Sequence, residues 1–113
     1  MRHHEQLSHI LRDVVAQFLA QSVEFRAGTL VTVTHAVVRT DGHAATIFLS
    51  VLPEEHGPSV LNDLIPHLYE LQGHVNNALG RRRTPHIHLA LDPLAGVSGQ
   101  DDRSDRPAGV SSA

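Results

Sequence analysis

Two β-branched runs with a tight turn signal between them constrain this chain more than any other feature. The first is Thr29-Leu30-Val31-Thr32-Val33-Thr34-His35-Ala36-Val37-Val38 and the second is Ala44-Ala45-Thr46-Ile47-Phe48-Leu49-Ser50-Val51. Asp41-Gly42 lies between them. Branching at Cβ suits a pleated backbone, and an Asp-Gly pair accepts the positive φ of a hairpin turn. In the second run Ala45, Ile47, Leu49 and Val51 alternate with Thr46, Phe48 and Ser50. Successive side chains of a strand point to opposite faces, so the hairpin has one apolar face that something else must cover.

The cover is legible as helices. Leu7, Ile10, Leu11, Val14, Val15, Phe18 and Leu19 recur at helical spacing and predict an amphipathic helix over 4–21. Pro53 ends the hairpin, and Glu54-Glu55-His56-Gly57-Pro58 reads as a loop. Ser59 is placed as the N-cap of a second helix, whose apolar stripe is Val60, Leu61, Leu64, Ile65, Leu68 and Leu71. Pro66 falls inside that pattern and predicts a kink or irregular turn, because proline lacks the N–H and crowds the preceding turn. Gly73 is expected to break the helix, with a short third helix carrying Val75, Ala78 and Leu79 up to a stop at Gly80. Beyond Thr84-Pro85, the alternation of Ile87, Leu89 and Leu91 with His86, His88 and Ala90 predicts a third strand. The order is α-β-β-α-kink-α-β. It describes an α+β, two-layer domain over residues 1–94, with a three-stranded sheet covered by helices on one face. Residues 95–113, rich in Gly, Ser, Asp, Pro and Ala, read as a disordered tail.

Composition narrows the chemistry. Hydrophobic residues make up 41% of 113, enough for one modest core. No apolar run approaches the roughly 20 residues of a membrane span, and Met1-Arg2-His3-His4-Glu5 leads into no signal-type stretch, so the expected location is cytoplasmic. Without cysteine there are no disulfides and no thiolate metal sites. The isolated glycines form no phosphate-cradling loop, and no Gly-x-Ser-x-Gly elbow occurs. Glu54-Glu55 and Asp101-Asp102 fall in a loop and in the tail, away from the enclosure that general acid–base work needs. The expectation is no catalytic residue and no cofactor.

Two clusters remain. His86 and His88 share one strand face, and His35 or His43 of the hairpin could approach them; because spacing alone carries little of the geometry a metal site demands, they are read as half-exposed polar residues and no metal is expected. Arg81-Arg82-Arg83 is the local signal for a polyanion partner. The net charge is −3, yet there is no lysine, and three of the nine arginines are consecutive. Cations at a helix end relieve its dipole, but three adjacent guanidiniums exceed what that needs and repel one another until phosphate neutralises them. Phe48, on the outer sheet face, is either a stacking platform for a base or a cover for a neighbour.

The order of elements is that of a type II KH domain, whose nucleic-acid element is a helix-turn-helix with a GXXG loop. Leu71-Gln72-Gly73 carries no GXXG. A KH-like order with one glycine at an interrupted helix resembles the ribosome-binding factor A family, which places Ala-x-Gly there; here the Gly fits and Leu71 departs. Leu79-Gly80 resembles the family's Leu-Gly after the kinked helix. Arg82-Arg83-Thr84-Pro85-His86-Ile87-His88-Leu89, followed by Asp92, resembles its Arg-x-x-Pro-x-Leu-x-Phe signature with a trailing Asp. The likeness covers about residues 4–92. The stretch from Gly80 to Pro85 is about one helical turn shorter than usual, and the family's helices are commonly more basic.

The resemblance implies a monomeric assembly factor that binds the immature 30S small ribosomal subunit and 16S rRNA. It would assist late maturation and 5′-end processing, matter in the cold, and work beside assembly GTPases. It implies no membrane and no enzymatic activity. On this reading Arg81, Arg82 and Arg83 meet phosphate and Gly73 is the kink that lets backbone approach RNA. Asn76 and Asn77 add hydrogen bonds, and Arg12, with Arg2, contributes from the first helix. The alternatives are a generic KH-like RNA binder, a protein-interaction module, and a metal-binding module built on His86 and His88.

Overall fold

The structure, a computed structural model, describes residues 2–80 and 84–94. Helix α1 spans Arg2–Ser22, strand β1 Leu30–Val38 and strand β2 Ala44–Leu52. Helix α2 spans Gly57–Leu64, helix α3 Leu68–Leu79 and strand β3 His86–Leu91. The sheet order is β1-β2-β3. β1 and β2 are antiparallel, and β3 returns parallel to β2, so β2 is the central strand. A parallel neighbour requires a crossover, and α2 with α3 supplies it.

The hairpin turn forms as its residues dictate. Gly42 takes φ +75°, its N–H donates to the Arg39 carbonyl at 2.8 Å, and the Asp41 carboxylate accepts the His43 N–H at 2.9 Å. Ala45, Ile47, Leu49 and Val51 are buried, whereas Thr46, Phe48 and Ser50 on the opposite face are half-buried. The helices add Leu7, Leu11, Val15, Phe18 and Leu19 from α1, Val60 and Leu64 from α2, and Leu71 and Val75 from α3. Ile87 completes this core from β3, with Leu89 and Leu91 packed against it. The helices therefore cover one sheet face, and among the described residues the other stays open.

Three expectations change. Ser59 is not an N-cap: α2 begins at Gly57 with Pro58 in its first turn, and a 3-10 turn at Glu54–His56 leads into it. Proline's fixed φ suits that position, and its missing N–H would have been unpaired there in any case. A Cβ on Gly57 would lie 2.8 Å from Leu91 Cδ1, so the bare glycine lets the helix start close against β3. Second, α3 runs unbroken through Gly73. The irregular turn expected at Pro66 does form, as a 3-10 turn at Ile65–His67, because proline removes a helical donor outright while glycine costs a helix only about 1 kcal/mol. Third, that turn separates α2 from α3, and the single stripe expected across them is not buried as one: Ile65 is 59% and Leu68 36% exposed. Ile10, at the margin of the α1 stripe, is also exposed.

Candidate nucleic-acid interface

Of the site residues expected from sequence, Gly73, Asn76 and Asn77 lie on α3, which leads by a short link into β3, and Arg12 lies apart on α1. Gly80 closes α3 in the left-handed conformation, with φ +59° and its N–H donating to the Asn76 carbonyl at 3.0 Å. Thr84 and Pro85 lead into β3, and only three residues join Gly80 to Thr84. Those three are Arg81, Arg82 and Arg83, which lie outside the described residues, as does the expected tail from 95 onward.

The two ends are tied by one side chain that sequence reasoning passed over. Gln72, half-buried on α3, accepts the Ile87 N–H on Oε1 at 2.9 Å. Its Nε2 donates to the Pro85 carbonyl at 3.0 Å and to Asn76 Oδ1 at 3.2 Å. Asn76 Oδ1 also accepts the Thr84 hydroxyl. A single amide thus satisfies a backbone donor and a backbone acceptor at the entry to β3. Nothing in sequence periodicity marks it; the only trace is a Gln-x-x-x-Asn spacing that puts both amides on one helix face.

The other expected residues are placed as follows. Gly73 is exposed on α3, next to Gln72, and a Cβ there would meet nothing within 4 Å. Asn77 is exposed, while Asn76 is committed through its oxygen to Thr84 and Gln72. Arg12 lies on α1, its Nε donating to Asp13 Oδ1 at 3.3 Å in an exposed pair, and Arg2 opens the same helix. Phe18 of α1 meets His74 of α3 with ring centres 5.4 Å apart.

The open sheet face holds a second cluster. Phe48 is stacked on His35 with ring centres 4.7 Å apart and planes at 17°, so it covers a neighbour there. Thr34 is the extra residue of a bulge between Val33 and His35. Its hydroxyl donates to Asp92 Oδ2 at 2.9 Å and lies 3.2 Å from His35 Nδ1. The Asp92 carboxylate is 10% exposed and also accepts the Leu94 N–H at 3.0 Å. It fastens the end of β3 to β1 across the central strand. His86 and His88 are exposed, their rings edge-on at 4.8 Å. Among the described residues no group of three or more His, Asp or Glu is placed to hold a metal ion. No helix of the described residues is long and apolar enough to cross a membrane.

No family model matches the chain. A ribosome-binding factor A from Phenylobacterium zucineum is 38% identical over 66 residues, 58% of this chain and 46% of that protein. The chain thus matches a little under half the length of that relative. The crystal structure of ribosome-binding factor A from Thermus thermophilus superposes with a TM-score of 0.67 at 19% identity, over 78% of this chain and 93% of the other. A homology model of the Thermus protein, fitted into a cryo-EM map of its complex with the 30S subunit, gives 0.62 at 18% identity, over 81% and 94%. At such identity the superpositions speak for the fold, which is the KH-like α+β arrangement expected from the element order. Sequence and fold, compared separately, both find this chain's likeness in the ribosome-binding factor A family.

Proposed function

We propose that this protein binds the immature 30S small ribosomal subunit through 16S rRNA, and assists the late maturation and 5′-end processing of that rRNA without catalysing a reaction. What carries the reading is the agreement of two likenesses, of sequence and of fold, on one family. The second structural neighbour was itself fitted as a complex with the 30S subunit. The α3–β3 junction supports it locally. Gly73 and Asn77 are both exposed on α3, four residues apart and so on one helix face, and the three arginines follow that helix in the sequence. Arginine forks onto phosphate oxygens, and neutralised phosphates release counterions, so a cluster of this kind gives salt-dependent affinity. Binding energy favouring one rRNA conformation is enough to shift its population, and no covalent chemistry is required. In this reading the protein acts as a cytoplasmic monomer, matters in the cold, and works alongside assembly GTPases.

The test is co-sedimentation with 30S subunits at two salt concentrations, for the wild type and an Arg81/Arg82/Arg83→Ala triple variant. The expected result is wild-type binding that weakens with salt and a variant that stays in the supernatant. A folded wild type that ignores 30S particles at low salt would turn the reading toward a protein-interaction module.

A further inference from the structure

We propose that Tyr69 is a stacking platform for an unpaired rRNA base, and that its ring, the bare backbone at Gly73 and the Asn77 amide form one base-reading face on α3. The inference rests on the proposed function and deepens it. Its grounds are the register and exposure of three residues. Tyr69, Gly73 and Asn77 stand at i, i+4 and i+8 of the helix, on the side opposite the buried Leu71 and Val75. Tyr69 is 89% exposed, more than any other large hydrophobic residue described. Among the described residues its ring meets no other ring: the aromatic contacts pair Phe18 with His74, His35 with Phe48 and His86 with His88. One turn on, a Cβ at Gly73 would meet nothing within 4 Å, so nothing stands up from the helix beside the ring. One turn further, Asn77 is exposed, while Asn76 is taken up by Gln72 and Thr84.

Charge decides which part of a nucleotide fits. Residues 68–80 include no arginine or lysine, His74 is turned toward Phe18, and Glu70 is exposed beside the face. Phosphate is therefore disfavoured here, and uncharged bases are not. A base stacks on an aromatic ring whatever its identity, and an asparagine amide, with a donor and an acceptor, pairs with a base edge. Tyr69 and Asn77 are about 12 Å apart along the helix axis, against about 3.4 Å between stacked bases, so ring and amide serve different nucleotides of one strand. An apolar protein segment fits less well. Ile65 and Leu68 adjoin the ring on the side of the 3-10 turn, but toward Gly80 this face holds only glycine and asparagine. Stacking also has its own signature. Loss of the ring lowers affinity and leaves the slope of log affinity against log salt, which counts neutralised phosphates, unchanged.

The experiment measures binding of the full chain to fluorescently labelled 30S subunits across a salt series. The variants are Tyr69→Phe, Tyr69→Leu and Tyr69→Ala, each checked for the folded state by circular dichroism. A fourth variant carries the photo-cross-linker p-benzoylphenylalanine in place of Tyr69. Phenylalanine keeps the ring, leucine keeps apolar bulk without it, and alanine keeps neither. The expected result is Tyr69→Phe within about twofold of the wild type, with Tyr69→Ala and Tyr69→Leu both weaker by about fivefold or more at an unchanged slope. The cross-link is expected on 16S rRNA. A folded Tyr69→Ala variant that binds as the wild type does overturns the inference and leaves the proposed function standing. So does binding restored by leucine, or a cross-link on ribosomal protein alone, either of which would make the contact an apolar one with protein. Tyr69→Phe as weak as Tyr69→Ala, or a fall in slope, also overturns it, because the contact would then run through the hydroxyl or a phosphate. A wild type that does not bind 30S subunits overturns the proposed function and the inference together.

Discussion

Gly73 and Asp41 show what single residues contribute. Glycine in the middle of α3 is a local cost, since it holds a helix less well than alanine by about 1 kcal/mol, and no neighbour crowds its missing Cβ. Packing among the described residues gives no reason for glycine there; on the proposed function, close approach of the partner to the backbone is that reason. Gly73→Ala is therefore expected to raise stability by about 0.5–1 kcal/mol in urea unfolding while weakening binding to 30S subunits. If stability rises and binding is untouched, Gly73 has no part in the interface. Asp41 is a matter of charge. The N–H of His43 donates to its carboxylate and is the largest effect; desolvation opposes it, and the Arg39 guanidinium, bonded at 2.6 Å, adds to the lowering, so that its pKa lies below the ordinary 3.8. A depressed carboxylate pKa contributes stability above 3.8 that is lost as pH falls through the lower, folded-state value. Hydrogen exchange of the Gly42 and His43 amides is expected to lose protection below pH 3.8 before that of α1 does. Asp41→Asn, which keeps an acceptor oxygen but cannot titrate, should remove that acid dependence.

At the scale of elements, the end of α3 is the sharpest case. Gly80 sits at φ +59° with nothing within 4 Å of a would-be Cβ, so a side chain there meets only backbone strain. Gly80→Ala is expected to destabilise the fold by about 1 kcal/mol, and Gly80→Asn by less, because asparagine tolerates the left-handed region. Equal losses for both in thermal unfolding would mean that this cap carries little strain. Gly80, Gly42 and the hairpin alternation were all legible in the sequence because each is a local rule with a local consequence. Gly73 was misjudged for the opposite reason. Glycine and proline both punctuate a helix, but only proline removes a hydrogen bond: the irregular turn expected at Pro66 forms, and the break expected at Gly73 does not. The exposure of Ile65 and Leu68 follows from the same turn, which periodicity alone does not register. Gln72 and Thr34 stayed hidden because their partners, Ile87 and Asp92, lie 15 and 58 residues away. A side chain that bonds across the fold leaves no mark on the spacing of its neighbours.

For the proposed function two surfaces of the molecule compete, and its overall charge of −3 does not choose between them. One is the edge where α3 meets β3. The other is the open face of the sheet, with Phe48, His35, His86 and His88. An aromatic ring on an open sheet is a common platform for a base, yet here it is already stacked at 4.7 Å by an imidazole. That imidazole lies 3.7 Å from the Asp92 carboxylate, a negative group that disfavours phosphate beside it. The described part of the open face presents no arginine free of an acidic neighbour, since Arg39 is taken by Asp41. On the proposed function, the end of α3, which the three arginines follow in the sequence, is therefore favoured on electrostatic grounds. A His35→Ala/His88→Ala double variant should bind 30S subunits within about twofold of the wild type, because exposed substitutions far from a contact usually change stability by no more than about 0.5 kcal/mol and leave the arginine segment unaltered. Co-sedimentation at the lower of two salt concentrations reads this directly. Loss of binding in the folded double variant would move the contact to the sheet face. The stack of His35 on Phe48 would then be a platform that opens on binding, and the helix edge would be left to set orientation.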